Sequence, residues 1–72
     1  MIDIQKITDA ELEFDLQDSI KDIGVCELSL SLGVTSYSGG LVQDRINGNK
    51  HFIEVITKEL KRRADFYRRL GQ

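Results

Sequence analysis

The sequence predicts an all-α fold: an antiparallel hairpin of two helices over about 8–32 and 39–69, assembled into a dimeric four-helix bundle or a higher oligomer. Three observations predict it. The 72 residues contain no proline, so nothing in the composition interrupts long helices. Apolar residues recur in alternating steps of four and three in two separate stretches. A short glycine- and serine-rich link, GVTSYSGG, lies between the stretches, and short helix–helix links give antiparallel neighbours.

The chain is divided into an extended arm over 1–7 and a single helical-hairpin domain over 8–70. In the arm, Ile2 and Ile4 alternate with Asp3 and Gln5; it is expected to pack Ile4 and Ile7 onto the helices. Thr8 is a good N-cap, with Glu11 three residues on to make a capping box. Ile7 and Leu12 stand at the positions of a hydrophobic staple. The first seam then runs Leu12, Leu16, Ser19, Ile23, Cys26, Leu30, and Gly33 is the natural stop.

Ser38 can cap the second helix, although the following glycines allow its start to slip to residue 41. The second seam is Val42, Ile46, Ile53, Ile56, Leu60, Tyr67 and Leu70, with Asn49 and Arg63 or Ala64 filling the gaps. Asn47-Gly48 is a strong hairpin signal in its own right. The helical register nevertheless continues through it from Val42 to Leu70, so a continuous helix is preferred and a break at Asn47-Gly48 stays open. Gly24 and Gly48 fall near each other in this scheme, which suggests a close approach of the helices or a local break.

Folding at the link places Leu12 near Arg63, Ser19 near Ile56 and Cys26 near Asn49. Charge supports the orientation. Residues 1–36 hold eight acidic and two basic side chains, and 37–72 hold four acidic and eight basic. The basic end of the second helix is thereby expected beside the acidic start of the first, which accounts for the KRR and RR clusters without nucleic acid.

A domain this small commonly needs a staple. One cysteine excludes an intrachain disulfide, and one cysteine with one histidine makes no zinc set, so no metal or cofactor is expected. Oligomerisation remains. A two-helix hairpin cannot enclose its core, and Phe14, Ile20, Leu28, Leu32, Leu41, Phe52 and Val55 are left for an oligomer or partner interface.

No glycine-rich phosphate loop, triad or metal spacing is present, so no enzyme is expected. Cys26 reads as an inert seam thiol and His51 as solvent-facing. The sequence carries no long apolar run, so no membrane span is expected; its acidic beginning is not expected to act as a secretory signal, and the lone thiol leads to the expectation of a cytoplasmic setting.

In general architecture alone, compact proline-free helical hairpins of this size resemble many small phage and mobile-element proteins. The expected function is therefore a non-catalytic protein–protein interaction module acting as a homo-oligomer, with an accessory protein that binds or inhibits a host protein as one concrete form. An alternative is an oligomer that binds an anionic ligand, nucleotide or nucleic acid, through Arg45, Lys50, His51, Arg68 and Arg69. A further alternative is a helical subunit of a larger assembly.

Overall fold

In the computed structural model, which describes residues 3–71, two long helices pack against each other. Helix α1 spans Asp9–Ser31 and helix α2 spans Val42–Leu70. Two-residue strands β1 (Ser36–Tyr37) and β2 (Gly40–Leu41) pair antiparallel in the link. The molecule measures 53 × 24 × 16 Å. With 29 residues, α2 accounts for roughly 43 Å of the length.

Local signals set the ends of α1. Thr8 Oγ1 accepts from the Glu11 amide at 3.2 Å, so the Thr8 half of the capping box is made. At the other end Gly33 takes a φ of 87°. Its N–H donates to the Leu30 carbonyl, and the Val34 N–H donates to Ser29, which is the Schellman closure.

The link differs from the sequence expectation. Ser38 does not cap a helix starting at residue 39. Ser38-Gly39 instead forms the turn between β1 and β2, and Gly40 takes a φ of 133° that side chains disfavour. The N-cap of α2 is Leu41, without a side-chain cap hydrogen bond. The Val42 N–H donates to the Thr35 carbonyl and closes the link.

The arm also differs. Asp3 caps a single 3-10 turn at Ile4–Lys6, so this part is coiled rather than extended; Met1 and Ile2 lie outside the described residues. Ile4 and Ile7 are half-buried, as a docked arm requires.

Most of the first seam is in place: Leu12, Ser19 and Cys26 are buried, and Leu16, Ile23 and Leu30 are half-buried between them. On α2, Val42, Ile46 and Ile56 are buried. Cys26, Val42 and Ile46 form a cluster near the link, joined by Ile23, Leu30 and Tyr37. The lower part of the α2 seam departs from expectation, with Tyr67 and Leu70 exposed and Glu59 buried. The register is the reason. Arg63 reaches Asp9, and Asn49 reaches Asp22, each roughly one turn before the expected neighbours Leu12 and Cys26. Helix α2 therefore runs past the start of α1, and its last two turns have no helix beside them.

Asn47 and Gly48 lie within α2, so no hairpin forms there. Neither Gly24 nor Gly48 marks a close approach, because a Cβ at either would meet nothing within 4 Å. Alanine at Gly24 or Gly48 is therefore expected to stabilise the fold by about 0.5–1 kcal/mol each. Alanine at Gly33, with its positive φ, is expected to lower stability by about 1 kcal/mol. Urea unfolding followed by circular dichroism reads both signs.

Candidate interaction surface

Two polar clusters fix how the helices present their faces. The first lies at the start of α1. Glu59 is buried although charged. Arg62 donates to both of its oxygens, from Nε at 2.9 Å and Nη2 at 2.7 Å, and Arg63 Nε donates at 2.9 Å. The other Arg63 nitrogens reach across the hairpin. Nη1 donates to Asp9 at 2.6 Å and Nη2 to the Ile4 carbonyl at 2.9 Å. The Arg63 side chain is only 12% exposed. Hydrogen bonds from Arg62, and then from Arg63, hold the Glu59 carboxyl down from its ordinary 4.5 to about 2 against the opposing effect of burial.

The second cluster lies nearer the link. Arg45 makes a two-pronged contact with Asp22, Nε at 2.6 Å and Nη2 at 2.8 Å, and Asn49 Nδ2 adds a third donor at 2.6 Å. These bonds, Arg45 first, lower the Asp22 pKa. The Arg45 guanidinium also lies 5.7 Å from the Tyr37 ring centroid, and the Tyr37 hydroxyl is hydrogen-bonded to Ser29 Oγ. One chain of contacts thus joins α1, the link and α2. The half-buried Asn49 acts here as a register-fixing polar group.

The expected anion-binding residues do not converge. Arg45 is engaged by Asp22, and Arg68 and Arg69 lie roughly 35 Å further along α2. Lys50 and His51 are exposed. Arg68 sits 4.0 Å from Asp65. Among the described residues no group of three or more His, Cys, Asp or Glu could hold a metal ion, and Cys26 is fully buried.

An open cleft of about 620 Å³ lies between the arm and the end of α2, with Ile7, Thr8, Phe66 and Tyr67 among its walls. Arg62 and Arg63 also line it, and their guanidinium groups are the ones already joined to Glu59.

The apolar surface is more distinctive. Among the described residues five hydrophobic side chains are buried and eleven large ones are exposed, so much apolar surface faces water. Six of the seven expected interface residues, Phe14, Ile20, Leu28, Leu32, Leu41 and Phe52, are exposed, and Val55 is half-buried. They do not form one face. At roughly 100° per residue, Phe14, Leu28 and Leu32 fall on the side of α1 opposite its buried line, and Ile20 falls on an edge. Phe52 and Val55 belong to α2, and Leu41 to the link.

The sequence reading left out Val25, which is 58% exposed and completes the Val25–Leu28–Leu32 patch. Its spacing of three residues to Leu28 and seven to Leu32 was the available signal. Glu59 was also missed, although arginines three and four residues later announced its pairing.

No family model matches the chain, and neither a curated protein nor a solved structure does. Among the described residues no helix is long and apolar enough to cross a membrane.

The paired Glu59 gives an acid limit to stability. Its folded pKa of about 2 lies below the ordinary 4.5, so its contribution is complete above about pH 4.5 and is lost as pH falls through about 2. Asp22 acts in the same direction. The urea midpoint is expected to fall across this window. Glu59→Gln should lower the midpoint at pH 7 and flatten its descent in acid; an unchanged slope would contradict the pairing.

Proposed function

We propose that the chain is a non-catalytic protein–protein interaction module that works as a homo-oligomer, with the outer face of α1 as its contact surface. The observation that carries this reading is the two-sided character of α1. One side is the hairpin seam, and the other shows Val25, Leu28 and Leu32, each more than half exposed. Such a helix belongs between two layers rather than at a surface. Where α2 lies beside this part of α1 its exterior is mainly polar, with Phe52 the large exposed hydrophobe, so α1 is the helix to be covered there.

A second copy covers a patch on α1 by the simplest symmetry, a two-fold axis that brings the same surface to itself. Two hairpins joined in this way make the dimeric four-helix bundle. The same face could instead meet a groove on a host protein, as an accessory or inhibitory helical protein of a phage or mobile element would. A cytoplasmic, reducing setting suits the unpaired Cys26 thiol in either case.

Leu28→Lys tests the reading. Leu28 is 60% exposed in the single chain, so the hairpin should keep its helicity while sedimentation velocity shows the assembly falling to a smaller species. Val25→Ser should act in the same direction. Unchanged sedimentation of both variants, with native circular dichroism, would overturn the assignment of this face.

A further inference from the structure

The hairpin leaves opposite charges exposed and weakly paired or unpaired at two places near one end. Along the first half of α1, Glu11, Glu13 and Asp18 are exposed and are absent from the ion pairs among the described residues. Phe14, 71% exposed, stands among them. At the end of α2 the sign is reversed. Arg68 has only the distant Asp65, and Arg69 is exposed beside Phe66. Phe66 and Tyr67 meet edge to face at 6.0 Å, and Leu70 is exposed. Each place thus has an apolar centre with a charged rim, the anatomy of a protein interface, and the two rims are complementary.

The chain cannot join these patches within itself. Asp9 is level with Arg63, and α2 continues to Leu70, roughly 10 Å beyond. The acidic stretch runs the opposite way along α1. We propose that the end of α2 lies across the acidic first half of α1 in a second copy, and that a two-fold axis makes the contact reciprocal. Both patches lie toward the same end of the hairpin, so two molecules overlapping there satisfy both at once. Phe66, Tyr67 and Leu70 are then covered by Phe14 and the aliphatic stems around it. The contact rests on the homo-oligomer reading. Phe14 shares the outer side of α1 with Val25, Leu28 and Leu32 but stands roughly 16 Å before Val25 along the helix, so this contact takes the other half of that side and joins dimers into a larger assembly.

Charge reversal in a Leu28→Lys background isolates this contact. One variant carries Arg68→Glu and Arg69→Glu, the other Glu13→Lys and Asp18→Lys, all at exposed positions. Each alone should self-associate at least about tenfold more weakly at low salt than the parent, and the association of the parent should weaken as salt rises. An equimolar mixture should recover association, because each altered rim then meets its opposite. Circular dichroism confirms folding of both. Unaltered association in the single variants, or no recovery on mixing, overturns the contact. Loss of binding to a short DNA duplex by the arginine variant, without recovery on mixing, would mark the end of α2 as a nucleic-acid surface instead. The response of Leu28→Lys alone reports separately on the α1 face.

Discussion

The guanidinium of Arg63 is the constraint on which the rest of the hairpin depends. Its three nitrogens serve three different parts of the chain: Glu59 on α2, Asp9 at the start of α1, and the Ile4 carbonyl in the 3-10 turn. A planar, permanently charged fork can satisfy these acceptors together, which an ammonium cannot do with the same geometry. The contact also explains a buried carboxylate. Glu59 would be costly without partners, and it is held by two arginines in a site that leaves it little water. Together with the Asp22–Arg45–Asn49 cluster nearer the link, it pins the helices at two levels. Apolar seams slide by a turn at modest cost, and polar contacts of this kind select one register.

That register decides what is exposed. Shifted by about one turn from the spacing expected, it carries the last turns of α2 past α1 and leaves Phe66, Tyr67 and Leu70 without a helix to cover them. The spacing of α1 itself, whatever the register, puts apolar residues on its opposite sides. A hairpin that buries five hydrophobic side chains among the described residues is a thin core for a protein of this size. In the proposed assembly the hairpin is one part, with α1 as its inner layer.

The helices and their capping were readable because they depend on local rules. Thr8, Gly33 and the three-four spacing from Leu12 to Leu30 each act within a few residues. The seam membership of Asn49 was readable too, because the spacing demanded a residue there although it is not apolar; at the later gap the spacing left Arg63 and Ala64 equal, and the contacts of Arg63 decide it. What escaped depends on contacts distant in sequence. Ser38 looked like a cap until Gly39 and Gly40 formed a turn, and Tyr67 looked like core until the register carried it beyond α1. The candidate surface was readable as a set of residues but not as a face. Its members were found by their failure to fit the seams, and such failure does not say which of them lie together.

The native mass in solution tests the central claim most directly. Light scattering across a wide range of protein concentration should give at least twice the 8.2 kDa of one chain, with dissociation on dilution. A cooperatively folded species of 8.2 kDa at every concentration would contradict the account, because the outer face of α1 would then be stable in water on its own.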